Sequence, residues 1–222
     1  MFKHPKHQSK REALWNLLDS RNPDILFGCE IWINPNITDN EILPQNTGYN
    51  IFHKDRKDGY GGVMLAIKAE IVSEPVDIDT PCEFIARKIN RNTHDSLIVA
   101  TIYRPTNNDV DYAKALYNTI KSLYLNYPKS TIWVAGDFNL PDIDWLTNTF
   151  SSNRYLIDQT LLQIEEELGL SQIVKCPTRD KSTVELFFTN RPSLLNRCEP
   201  IPGISDHDTA VYIDSDISIK RQ

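Results

Sequence analysis

Five short apolar runs in this chain each stop on, or carry, a residue able to do chemistry, and that repetition constrains the fold more than any other feature. Ile132-Trp133-Val134-Ala135-Gly136 runs into Asp137-Phe138-Asn139. Ile25-Leu26-Phe27-Gly28-Cys29 closes on Glu30, and Leu97 to Ile102 closes on Tyr103-Arg104-Pro105. Val184 to Thr189 carries Glu185, and the polar turn Gly203 to Asp208, with Asp206 and His207, leads into Thr209-Ala210-Val211-Tyr212-Ile213. Runs of this length read as strands, and in a strand residues i and i+2 share a face, which would put Asp137 and Asn139 on one side. Layered α/β proteins gather their chemistry at strand ends, where the sheet fixes position and the loops supply function. The polar set suits a metal ion, a phosphate or an attacking water, as in a metal-dependent phosphoesterase.

The chain has 222 residues, 40% of them hydrophobic, and shows no linker, internal repeat or low-complexity tract, so one domain with a real core is expected over 1–222. The basic segment 1–10 reads as a disordered tail. No run reaches the ~18 apolar residues of a membrane span, and the N-terminus lacks the apolar centre of a secretory signal. Cys29, Cys82, Cys176 and Cys198 are scattered without a C-x-x-C pair, which points to reduced thiols in an intracellular protein. A net charge of −6 is not the footprint of a dedicated nucleic-acid binder. It leaves a nuclease open, because basic residues cluster locally at Lys54-Arg56-Lys57 and at Lys175-Arg179-Lys181.

Helical spacing of Leu14, Trp15, Leu17 and Leu18 predicts a helix over Arg11–Ser20. Further helices are expected over Tyr112–Tyr124 and Arg154–Leu168. Residues 31–50, rich in Pro, Asn and Gly, read as loop. Gly59 to Gly62 reads as a turn feeding a strand from Val63, and residues 83–88 and 97–103 as a strand pair. Direct strand–turn–strand links mixed with helices imply an α/β (α+β) protein with a mixed sheet.

Taken together, Pro23-Asp24-Ile25 through Glu30-Ile31-Trp32, Asp55 to Val63, Tyr103-Arg104-Pro105, Gly136-Asp137-Phe138-Asn139, Pro177-Thr178-Arg179 and Ser205-Asp206-His207 resemble the exonuclease–endonuclease–phosphatase superfamily. Within it, they are most similar to the apurinic-endonuclease-like domain of LINE-type (non-LTR) retrotransposons. The resemblance runs from the Arg11 helix to Ile213. It implies a two-sheet β-sandwich flanked by helices and a Mg²⁺-dependent endonuclease, with Mn²⁺ able to substitute, that nicks DNA to leave a priming 3′-hydroxyl.

The resemblance also implies roles. Glu30 would be the principal metal ligand and Asp206 would complete the metal and water side. Asp137 would handle a proton of the attacking water or leaving oxygen, Asn139 would hold the phosphate or orient the water, and Tyr103 would donate its phenol proton toward the phosphate. His207 would act as base or stabilise the transition state, oriented by Glu185, and Arg104 would contact substrate. The implied partner is the DNA backbone, with no membrane and no small-molecule cofactor. A reverse transcriptase would use the nick but is not contained in these residues, and action in the nucleus is expected.

Two departures stand out. The family has Asp where this chain has Glu185, one carbon longer, which shifts the carboxylate by ~1.5 Å. The family also opens with a strand bearing a metal-binding Asn, and residues 1–10 contain neither an apolar run nor that Asn. A truncated copy of weak activity is therefore an expectation alongside the endonuclease. A phosphoesterase acting on a small phosphorylated molecule is the other alternative.

Overall fold

The computed structural model describes residues 5–31, 38–56, 61–93, 95–106, 109–150, 155–204 and 209–222. Trp32, the 57–60 turn, Asp206 and His207 therefore lie outside the described residues.

The chain opens with helix α1 (Pro5–Arg21), then strand β1 (Ile25–Cys29), a one-turn helix α2 (Asp39–Ile42), and strands β2 (Tyr49–Lys54), β3 (Val63–Lys68), β4 (Ser73–Val76), β5 (Glu83–Asn90) and β6 (Ser96–Tyr103). Helix α3 (Val110–Asn126) leads to β7 (Thr131–Asp137) and the short β8 (Ile143–Asp144) and β9 (Thr149–Phe150). After α4 (Tyr155–Leu168) come β10 (Ser171–Gln172), β11 (Glu185–Thr189), β12 (Leu195–Pro202) and β13 (Thr209–Ser215). Among the described residues, no helix is long and apolar enough to cross a membrane.

The helix expected over Arg11–Ser20 extends back to Pro5. Much of the basic segment is thus helical rather than a disordered tail; Pro at a first helical position loses no hydrogen bond, since that N–H is unpaired anyway. The 31–50 stretch is not all loop either. Thr38 and Glu41 form a reciprocal capping box that starts α2, and β2 follows at Tyr49.

Six strands form one continuous sheet in the order β10-β11-β7-β6-β5-β4. Only β6 and β7 run parallel, joined by the α3 crossover that a parallel pair requires. Asp109 caps α3, its side chain accepting from the backbone of Asp111 and Tyr112 at 3.1 Å each. The facing layer is in two pieces, a three-stranded sheet β1-β3-β2 and the hairpin β12-β13.

Three apolar layers hold this together. Ile98, Ala100, Ile102, Val134 and Phe188 on one face of the large sheet pack against Leu116, Ile120, Leu161 and Ile164 of α3 and α4. On the other face Val99, Trp133, Ala135 and Phe187 meet Leu65 and Ile67 of β3, with β12 and β13 contributing Cys198, Val211 and Ile213. Beyond β3, Met64 and Ala66 pack under Leu14 and Leu18 of α1. β3 is apolar along its length because both its faces are buried. The order is helix, sheet, split sheet, helix, the helix-flanked sandwich expected.

Candidate active site

Four side chains of the large sheet fall on one line across four strands. Glu83 at the start of β5 pairs with Tyr103 at the end of β6; Tyr103 pairs with Asp137 at the end of β7; Asp137 pairs with Glu185 at the start of β11. Paired residues on adjacent strands project to the same face. Alternation identifies that face, because Val99, Trp133, Ala135 and Phe187, an even number of residues away, line the layer between the sheets. With strands ~4.8 Å apart the row is about 14 Å long.

The opposite sheet brings Glu30 to this row. It follows the last residue of β1 in a left-handed conformation (φ 52°), uncommon for a residue with a side chain. The Tyr103 phenol donates to Glu30 Oε1. Burial, followed by the Glu30 carboxylate, holds the Tyr103 phenol well above the usual tyrosine range, so it keeps its proton. Behind it, Tyr112 donates from its hydroxyl to the Tyr103 carbonyl at 3.3 Å and accepts from Glu83 N at 3.1 Å.

Close packing of β6 and β7 sets these distances. Gly136 has φ 151°, and a Cβ there would sit 1.8 Å from the Ile102 carbonyl oxygen, so only glycine fits. Cys29 bridges the layers, its Sγ donating to Ile102 O at 3.1 Å and accepting from Asp137 N at 3.4 Å. Burial and then the Asp137 charge push its thiol up to about 12, so it is a neutral packing group rather than a nucleophile.

Asp137 and Asn139 do come together, but by a turn rather than by strand alternation. β7 ends at Asp137, Asn139 takes φ 49°, and Asn139 N donates to Asp137 Oδ1 at 2.9 Å. Both are nearly enclosed, at 3% and 4% exposure. Asn139 Nδ2 donates to the Arg104 carbonyl at 2.8 Å, leaving one N–H and the amide oxygen for other work.

Arg104 is a correction. Expected to touch substrate, it is fully buried, and its guanidinium donates to the carbonyls of Phe138 and Asn139 at 3.3 and 3.1 Å. A five-donor planar group inside the fold ties down the Asp137–Asn139 turn instead of reaching the surface.

Glu185 is positioned by Thr178, whose buried hydroxyl accepts from Val184 N at 3.0 Å and Glu185 N at 3.2 Å. Sequence reading missed Glu83, which accepts from Gly62 N at 2.6 Å and Arg56 at 3.1 Å. That contact turns the glycine-rich turn into a wall of the site and takes Arg56 out of the set of substrate-facing cations. Lys54 is likewise used on the Cys82 carbonyl at 3.3 Å. Arg179 and Lys181 are exposed, on the turn that precedes Glu185.

Glu30, Asp137 and Glu185 line one cavity with Gly203, Ile204 and Thr209, the described residues on either side of the loop that holds Asp206 and His207. Among the described residues no group of three or more His, Cys, Asp or Glu side chains could hold a metal ion. The donor chemistry still fits a hard divalent cation, which keeps several waters and takes one or two carboxylates. Glu30 is half-buried, and among the described residues its one hydrogen bond is that from Tyr103.

Comparison with known proteins agrees with this fold. The endonuclease domain of TRAS1, a telomere-specific non-LTR retrotransposon, superposes with a TM-score of 0.71 at 16% identity, over 98% of this chain and 95% of its own. An AP endonuclease from Archaeoglobus fulgidus gives 0.71 at 17% identity, over 94% and 95%. The catalytic domain of Xenopus laevis APE2 gives 0.72 at 14%, over 97% and 90%. Identities this low establish a shared fold alone. No curated protein matches the chain by sequence. The profile described as endonuclease–reverse transcriptase matches residues 97–211, and the chain belongs to that family.

Proposed function

We propose that the chain is a divalent-metal-dependent DNA endonuclease that cuts one strand to leave a 3′-hydroxyl for target-primed reverse transcription. The observation that carries this reading is the carboxylate–phenol–carboxylate row Glu83, Tyr103, Asp137 and Glu185 facing Glu30 at one rim of the sandwich. Family membership and the exposed Arg179 and Lys181 beside that rim support a polyanionic substrate.

Water attacks phosphorus, the P–O3′ bond breaks, and the products are a 5′-phosphate and a 3′-hydroxyl. Asp137 takes the proton of the attacking water, and Asn139, held at its amide by Arg104, orients that water or a phosphate oxygen. Tyr103 keeps its proton and donates to the phosphate as charge builds there, a positioned donor of the kind worth ~10²-fold or more. Glu30 would hold the Mg²⁺, or Mn²⁺ in its place, which supplies counter-charge to the phosphate. Asp206 and His207 take the metal-side and acid–base roles that the family motif assigns, with Glu185 orienting His207.

Supercoiled-plasmid nicking with Mg²⁺ tests this. Asp137→Ala combined with His207→Ala should lower the rate by at least ~10²-fold while circular dichroism stays unchanged. Glu185→Asp, which restores the shorter carboxylate, should raise it, since misplacements near 1 Å cost about 10²-fold. Equal rates for the parent chain and the double variant would overturn the catalytic assignment of both residues.

A further inference from the structure

At the rim, the end of β1 crosses the end of β6, and three consecutive residues of one meet three consecutive residues of the other. The Thr101 hydroxyl donates to the Gly28 carbonyl at 3.5 Å. The Cys29 thiol donates to the Ile102 carbonyl at 3.1 Å. The Tyr103 phenol donates to the Glu30 carboxylate. The first two rungs touch each other, with Cys29 Sγ 3.7 Å from Thr101 Oγ1. Cys29 also reaches one strand further, its Sγ accepting from Asp137 N at 3.4 Å.

Polar groups in such a place need a reason, because burying a hydroxyl costs free energy unless it is bonded. Thr101 is fully buried and pairs with Ala135, on the face of β6 that Val99 and Tyr103 share. As a neutral thiol, Cys29 has one proton to give and a lone pair to offer, and it uses both on backbone groups beside the acidic row. The ladder with β3 holds β1 sideways. The height of its end above the large sheet is set by the rungs across the layer. Glu30 comes directly afterwards in a left-handed turn (φ 52°), so its carboxylate moves with the peptide that follows Cys29.

We propose that Cys29 and Thr101 are positioning residues of the site, which together set the distance at which Glu30 faces Tyr103 and Asp137. Both act through Glu30 and Asp137, not on the substrate. Their effect on rate rests on the nuclease reading, whereas the contacts themselves can be tested without turnover.

Space-filling and positioning order the variants oppositely. Thr101→Val keeps the shape and removes the hydroxyl; Thr101→Ser keeps the hydroxyl and removes a methyl. A residue that only filled space would tolerate valine better, and a positioning residue tolerates serine better. At Cys29, alanine loses both bonds, while serine keeps a donor and an acceptor on a shorter arm.

The experiment compares the full chain with these four variants, by supercoiled-plasmid nicking with Mg²⁺ and by residue-resolved amide exchange without metal. Misplacements near 1 Å cost about 10²-fold, so a fraction of that shift should lower kcat about 10-fold in Cys29→Ala and Thr101→Val. Thr101→Ser and Cys29→Ser should lose less than about 3-fold, and KM should stay within about 2-fold throughout. In Cys29→Ala the Asp137 amide should exchange at least ~10-fold faster, while the amide of Val134, in the middle of β7, keeps its rate. Parental kcat in Cys29→Ala, or Thr101→Val nicking as fast as Thr101→Ser, overturns the proposal. So does an unchanged Asp137 amide in Cys29→Ala. Should that variant fail to fold, the order of the two Thr101 variants decides. A parent chain that does not nick refutes the nuclease reading alone, and the positioning role then stands or falls on the Asp137 amide.

Discussion

The two facing sheets of this sandwich have similar apolar content and opposite completeness. In the large sheet, β6 and β7 have bonded neighbours on both sides and are buried almost throughout; in the split layer, among the described residues, β1 and β13 each have one bonded neighbour and are half-exposed. The site draws on both. Tyr103, Asp137 and Glu185 stand on the complete sheet, while Glu30 hangs from the end of β1 on the incomplete one. The proposed acid–base groups thus stand on strands of the large sheet, and the expected metal ligand follows an edge strand of the split layer. Local opening follows the number of buried contacts and paired amides, so the Glu30 side of the site is the softer side.

The largest test of this contrast is Gly136→Ala. The added Cβ meets the Ile102 carbonyl oxygen at 1.8 Å, in a backbone conformation that penalises a side chain. Strain and overpacking together should cost about 2–6 kcal/mol, a large share of the ~5–15 kcal/mol that stabilises a domain. Denaturant melts should show the whole protein destabilised, because β6–β7 is the spine of the complete sheet. A loss under 1 kcal/mol would show that the two strands are not locked together as the geometry requires.

A matched pair of truncations compares the sheets more finely. Leu65 on β3 is fully buried in the layer between the sheets, whereas Leu26 on β1 is half-buried beside the cavity. Leu65→Ala should cost about 2–5 kcal/mol as a filled core position. Leu26→Ala should cost less than about 2, since solvent already reaches it and less apolar area is lost. Equal losses, measured by chemical denaturation, would mean that β1 is as well packed as β3.

How much of this was legible follows the same division. Strand ends were readable because an apolar run that stops on Asp137, Tyr103 or Glu30 reports its own boundary, and those residues do converge. The Asp137–Asn139 approach was assigned to the right residues for the wrong reason: strand periodicity carries no information about the left-handed turn at Asn139. Glu83 was invisible because its meaning depends on Gly62 and Arg56, more than twenty residues away. Arg104 misled because charge alone suggests a surface, and its burial depends on a turn that accepts its donors. That the apolar edges of β1 and β13 face one cavity depends on long-range pairing, which composition cannot report.

The smallest effect expected is a pH response confined to the softer sheet. Tyr49 at the start of β2 donates its hydroxyl to the Pro23 carbonyl at 2.5 Å, pinning the approach to β1. Burial and then the Asp24 carboxylate push its phenol up to about 12 from an ordinary 10.0. A folded pKa above the unfolded one means that the unfolded chain releases this proton first. The stabilisation is therefore complete below pH ~10 and is lost as pH rises toward 12. Ionisation also turns a donor into an acceptor facing a carbonyl, which breaks the bond. Amide exchange in β1 and β2 should thus accelerate across this interval before the large sheet responds, with Tyr49 ionisation followed by tyrosinate absorbance. In Tyr49→Phe the bond is already gone, so β1 should exchange faster at neutral pH and show little of the alkaline step. If the step is undiminished in that variant, another group is responsible and the pin at Pro23 is not what steadies the incomplete sheet.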